Sequence, residues 1–206
     1  MSLLTILSFL SAAIILTIMP GPDNLFTLAQ SIAKGKKAGI YTTLGLCTGL
    51  VVHITAAAAG ISAIIYQSSI AFNIVKYLGA GYLLWLAYKS FRDKGGSFEL
   101  QAEDSLDYKD LYKRGVIMNL LNPKVSLFFL AFLPQFVSYN AGNVPLQMLV
   151  LGVIFLVQAF VIFSLISIFS GIVGTFLRKN TSFGRKMNLV QGCLFLFISF
   201  KVAFSK

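Results

Sequence analysis

Six stretches of this chain are each apolar for about the length that a bilayer core demands, and no other feature restricts its fold as strongly. They cover residues 3–33, 38–66, 71–89, 113–137, 145–176 and 187–204. A helix needs roughly 20 residues to cross the hydrocarbon. The strand-sized alternation and closely spaced turns of an outer-membrane barrel are missing from the sequence. The expected fold class is therefore all-α, a polytopic membrane protein with about six transmembrane helices. Composition agrees, because a soluble domain carries about 25% charged residues. Here 12% are charged and 57% hydrophobic, with a mean hydropathy of +0.81, too little polarity to cover a water-facing surface. The first stretch has no basic leader and no small-x-small cleavage site before Pro20, so it is read as a retained span rather than a signal peptide.

The charges are distributed asymmetrically. Of 17 Lys and Arg residues, thirteen fall in alternate connections: Lys34, Lys36 and Lys37; six between positions 89 and 114; and Arg178, Lys179, Arg185 and Lys186. The opposite connections, 67–70 and 138–144, carry none. Basic loops face the cytoplasm, which places both termini outside. The net charge of +10 is then explained by orientation and by anionic lipid, and no nucleic-acid partner is expected. Six of the seven acidic residues lie in the polar stretch 92–110. The organisation expected is one transmembrane domain over 1–206, with a first half over about 1–91, a cytoplasmic loop over about 92–112 and a second half over about 113–206. Three spans per half with an outside N-terminus make the halves inverted repeats. That architecture recurs in secondary transporters, with the binding site where broken helices of both halves meet near the midplane.

Two such breaks are legible. The first stretch has 31 residues, roughly 46 Å as one helix against a core of about 30 Å. Pro20, Gly21 and Pro22 interrupt it, followed by Asp23 and Asn24. Proline withholds a backbone donor, and freed polar groups in hydrocarbon must be buried in protein or line a wet cavity. In the second half Asn122, Pro123 and Lys124 interrupt the fourth stretch, with Asn119 one turn earlier. Counted from Lys34 and Arg114, Asp23 and Lys124 both lie roughly 15 Å deep, where an acid and a base could pair.

Asp23 is the one carboxylate outside the polar stretch, and an ionisable group at that depth is costly to keep. It reads either as a cap of the following half-helix or as a group that binds a proton or a substrate ammonium. Lys124 reads as a structural counter-ion, a snorkelling side chain or a substrate ligand. Asn24, Asn119 and Asn122 could hold the polar ends of a zwitterion or repair the backbone beside a proline.

At these breaks the chain resembles the LysE/RhtB family of amino-acid exporters. Pro20-Gly21-Pro22-Asp23-Asn24-Leu25 is followed by the basic segment Lys34-Gly35-Lys36-Lys37-Ala38-Gly39. The likeness continues through Gly45, Gly49, Lys76-Tyr77-Leu78-Gly79-Ala80-Gly81-Tyr82-Leu83-Leu84, Gly115 and Asn119-Leu120-Leu121-Asn122-Pro123-Lys124, and closes at Phe128-Phe129 and Leu133-Pro134-Gln135-Phe136-Val137. The resemblance implies export of amino acids or their derivatives across the bacterial inner membrane by proton antiport. It carries function to Pro20, Gly21, Pro22, Asp23 and Asn24 in one half and to Asn122, Pro123 and Lys124 in the other. It names no individual solute, and a homo-oligomer is compatible with it.

Other polar residues have plainer readings. His53 could relay protons but suits packing. Gln158 and Gln191 suit interhelical hydrogen bonds, and the Gly45-x-x-x-Gly49 spacing suits close helix approach. Lys76 and Lys201 are expected to snorkel, and Trp85 to anchor at an interface with Tyr82 and Tyr88. Two alternatives to amino-acid export stand. A thiol-redox protein would use Cys47 and Cys193, which must then come within disulfide range. A metal-ion exporter would have to manage with one intramembrane acid and one histidine. There is no P-loop for ATP hydrolysis. No catalytic residue, metal site or cofactor is expected.

Overall fold

The computed structural model describes residues 1–19, 21–61, 69–93, 107–138 and 142–204. Pro20, most of the polar stretch 92–110, part of the connections 67–70 and 138–144, and Lys206 lie outside the described residues. The protein is an all-α membrane protein. Its helices are α1 (Leu3–Ile18), α2 (Pro22–Lys34), α3 (Lys36–Ala56), α4 (Ser69–Arg92), α5 (Tyr108–Leu120), α6 (Pro123–Leu127), α7 (Val144–Ile168), α8 (Ser170–Lys179) and α9 (Thr181–Phe204). A π-helical turn, Ala57–Ile61, extends α3. Another, Phe128–Phe132, and a 3-10 turn, Leu133–Phe136, extend α6.

Local chemistry sets the ends. Side chains of Ser2, Asp107, Asn122 and Asn143 each accept a backbone N–H at a helix start, at 2.8–3.1 Å. Each such cap satisfies an orphan donor and contributes about 1 kcal/mol. Gly35 separates α2 from α3 at φ 83°, a left-handed conformation suited to glycine.

Among the described residues, three segments alone are long and apolar enough to span a membrane: Lys36–Gly60, Val144–Ile168 and Arg185–Phe204. Two more spans arise if each bent pair counts as one, Leu3–Ile18 with Pro22–Lys34 at 57° and Tyr108–Leu120 with Pro123–Phe136 at 47°. Helix α4 has the length of a span at 24 residues, its apolar character diluted by Lys76, Lys89 and Arg92. The expected fifth stretch, 145–176, is in fact α7 and α8 divided at Phe169. Side chains such as Leu78, Val157, Ile172 and Phe197 are more than half exposed on the helix surfaces, as lipid contact requires.

Helix α3 packs on α2, α5 and α7, while α4 and α9 pack along each other. The α3–α5 crossing depends on glycines: a Cβ at Gly45 would overlap the Tyr112 carbonyl, and one at Gly115 would sit 2.6 Å from the Thr42 carbonyl. Gly49 likewise admits Asn119, so the Gly45–Gly49 spacing does serve close approach. Between α1, the turns after α6 and α7 lies a phenylalanine core. Phe9 meets Phe136 at 5.3 Å, and Phe128 meets Phe155 at 5.0 Å. Lipid tails are as apolar as these rings, so their packing and edge-to-face geometry hold this region.

Candidate functional site

Helix α1 ends at Ile18, the backbone is extended at Gly21, and α2 restarts at Pro22. Such a break orphans the last carbonyls of α1. Asn24 Nδ2 donates to the Thr17 carbonyl at 2.8 Å. Lys124 Nζ, arriving from the other break, donates to the Leu16 carbonyl at 3.1 Å and the Met19 carbonyl at 3.5 Å. A cation at the C-terminal end of a helix also meets the negative end of its dipole.

Asp23, in the first turn of α2, is 3% exposed. Its Oδ2 accepts from Asn122 Nδ2 at 2.9 Å and from Asn119 Nδ2 at 3.4 Å. Asn122 Oδ1 in turn accepts the backbone N–H of Lys124 at 3.0 Å and so caps α6. The two breaks therefore brace each other. The second half supplies donors to the acid of the first, and its lysine satisfies the carbonyls that the first leaves open.

Two expectations are corrected. Asp23 is not the cap of α2: the N-cap position is Gly21, without a side-chain hydrogen bond, and the carboxylate turns to the asparagines of the other half. Asp23 and Lys124 also do not form a contact ion pair, because the ammonium is held by carbonyls of α1. Of the other site residues, Gly21, Pro22 and Pro123 stand at the breaks as expected, whereas Pro20 lies outside the described residues. Asn24 and Asn122 both repair backbone.

Three cavities adjoin the breaks. A small one of about 20 Å³ is lined by Thr17, Asp23, Asn24, Asn119 and Lys124. That is room for about one water. A chamber of about 290 Å³ is lined by Gly21, Pro22, Asn122, Pro123 and Lys124, with Leu86, Lys89 and Ser90 on α4, Asp93 just after it, and Asn188, Gln191 and Phe195 on α9. Small-molecule sites start at roughly 300 Å³. The chamber thus has the size for a small solute and reaches both breaks, whereas Asp23 lines the small cavity and not the chamber. A roomier cavity of about 370 Å³ between α2, α7 and α8 has Asn24 as its single polar wall residue.

Residues with plainer readings fall into place. His53 Nε2 lies 3.1 Å from the Asn119 carbonyl, with its ring stacked on Phe129. Gln158 Nε2 donates to Thr17 Oγ1 at 2.9 Å, an interhelical bond. Gln191, in contrast, lines the chamber. Lys76 is buried rather than snorkelling, with Nζ 5.2 Å from the Tyr77 ring centroid. Lys201 Nζ sits 4.3 Å from the ring centroid of Phe136. Trp85 is exposed beside Tyr82 and Lys89. Cys47 and Cys193 are both free thiols, one buried on α3 and one exposed on α9. Among the described residues no three His, Cys, Asp or Glu side chains gather to hold a metal ion. The part of α4 and α9 in the chamber was not legible from sequence, although Lys89, Ser90, Asn188 and Gln191 form a polar band there.

The family described as LysE type translocator matches residues 14–206. An uncharacterized membrane protein of Bacillus subtilis is 31% identical, over 98% of this chain and 99% of its own. One from Vibrio cholerae is 30% identical over 92% of each chain. A protein of Salmonella typhimurium named leucine efflux protein is 28% identical over 95% of this chain and 93% of its own. No solved structure matches.

Proposed function

The chain belongs to the LysE type translocator family, and on that premise we propose that it exports a neutral amino acid, or a derivative of one, across the bacterial inner membrane in exchange for protons. The observation that carries this reading is the mutual bracing of the two breaks at a chamber of about 290 Å³. The substrate enters that chamber from the cytoplasm. Its carboxylate meets Lys124 and the positive N-terminal end of α2, the pairing that broken helices offer anionic groups. Leu86 and Phe195 give an aliphatic side chain an apolar wall. Asn122 and Gln191 supply carbonyl oxygens for the ammonium.

Asp23 carries the proton. It lies behind the chamber, in a cavity with room for about one water, so a solute reaches it only after the breaks part. Halves over about 1–91 and 113–206, inverted with respect to each other and with both termini outside, rock around this point so that chamber access alternates. Protonation and substrate binding then compete for one arrangement of the breaks, which couples the two fluxes.

The name of the Salmonella relative makes leucine the first solute to test. Cells loaded with a leucine-containing dipeptide are followed for leucine in the medium, with and without the protein. Faster release with the protein supports the reading; equal release for leucine and every other neutral amino acid refutes it.

A further inference from the structure

We infer that one face of α2 is the route by which the proton leaves Asp23 for the cytoplasm, separate from the chamber that takes the substrate. The inference rests on the antiport reading above and assigns that reading a path.

Asp23, Thr27, Gln30 and Lys34 are spaced four, three and four residues apart along α2, with Ser31 beside them. At about 100° and 1.5 Å per residue they share one side of the helix and extend roughly 16 Å from Asp23 to the basic cytoplasmic end. Such a row of polar groups inside a membrane span is expensive unless each is satisfied. Here they are not. Thr27 and Gln30 are both 0% exposed, yet Thr27 Oγ1 and both polar atoms of Gln30 have no hydrogen-bond partner, nor has Asp23 Oδ1.

Thr27 departs from most of the described helical threonines. Thr42, Thr43, Thr48, Thr55 and Thr175 each donate to the carbonyl four residues back. That bond is the ordinary refuge of a helical threonine. Thr27 does not take it, and its hydroxyl stays available to a chain of water.

The opposing wall is polar as well. Phe163 of α7 lines the small cavity with Asp23, and Ser167, one turn further along α7, comes up to Ser31 over Gly39. A Cβ at Gly39 would overlap the Ser31 hydroxyl and sit 2.5 Å from that of Ser167. Ser164, between these two levels of α7, also has an unpartnered hydroxyl. Ser31 donates to the Thr27 carbonyl at 2.6 Å and Ser167 to the Phe163 carbonyl at 2.9 Å, so their oxygens remain as acceptors, and polar atoms continue from Asp23 toward the cytoplasmic end without involving α4 or α9. The titratable groups facing Asp23 itself are Lys124 on α6 and His53 on α3. In the proposed step the carboxyl of Asp23 gives its proton to water in the small cavity, and the charge passes from water to water, held in line by the Thr27 hydroxyl and the Gln30 amide, to bulk water, leaving a carboxylate.

The test uses purified full-length protein in liposomes holding a pH-sensitive dye, with two readouts: leucine–leucine exchange, which moves no net proton, and proton flux driven by a leucine gradient. Gln30→Leu and Thr27→Val are expected to cut proton flux at least tenfold while exchange stays within about twofold of wild type, and Gln30→Glu to keep both. Wild-type proton flux in the two apolar variants would overturn the route and leave antiport standing. A wild type that exchanges leucine without moving protons would overturn both. Should Gln30→Leu fail to fold, Thr27→Val decides, and parallel loss of exchange and proton flux in that near-isosteric variant would reduce the face to packing and overturn the route.

Discussion

Asn122 ties Asp23 to Lys124 without letting them touch: its Nδ2 donates to the Asp23 carboxylate at 2.9 Å while its Oδ1 accepts the backbone N–H of Lys124 at 3.0 Å. One amide thereby sets the register of the two breaks. Asn122→Ala removes both bonds. A lost cap costs about 1 kcal/mol. A hydrogen bond between helices in a membrane adds about 0.6 to 1.7 kcal/mol. The expected result is a lower melting temperature in detergent and at least tenfold slower export. Asn122→Asp, which sets one carboxylate against another, is expected to be worse in both measurements.

Gly21 is needed for space. Its backbone is extended at φ −147°, which any residue adopts, but a Cβ there would lie 3.3 Å from Lys124 Nζ. Gly21→Ala is therefore expected to slow export severalfold by displacing the ammonium from the Leu16 and Met19 carbonyls, with little loss of folded protein. Gly21→Val should abolish export. Export assays normalised by immunoblot check both.

Gly45 and Gly115 carry fold rather than transport. A Cβ at either would run into backbone of the opposing helix, which cannot rotate away as a side chain can. Overpacking of this kind costs about 1–3 kcal/mol or more. Gly45→Leu and Gly115→Leu should yield little monodisperse protein by size-exclusion chromatography.

The thiols are expected to be dispensable. Cys47 and Cys193 are unbonded, one buried and one exposed. The double variant Cys47→Ala, Cys193→Ala should export at the wild-type rate in oxidising and reducing media alike, a result that a thiol-redox protein would not give.

What the sequence revealed and what it hid follow from one physical distinction. A proline, a carboxylate or a lysine inside an apolar stretch is conspicuous because lipid makes it costly, so both breaks and Asp23, Asn122 and Lys124 were legible. Choice of partner was not. Similar depth suggested that Asp23 and Lys124 could pair, but the broken end of α1 left carbonyls that compete for the ammonium, and two asparagines reached the carboxylate instead. The division at Phe169 was hidden for a related reason: residues 145–176 contain no charged residue and no proline after Pro145. The chamber wall on α4 and α9 depends on how distant segments pack, which no local pattern encodes.

The account turns on whether Asp23 works or merely completes the bracing of the breaks. The most direct measurement is leucine export from dipeptide-loaded cells expressing wild type or Asp23→Asn at matched protein levels. The variant keeps the side chain's shape and an acceptor oxygen for Asn122 but cannot carry a proton. Loss of export with normal folded protein is the result expected here; export equal to wild type would reduce Asp23 to a structural acceptor and contradict the account.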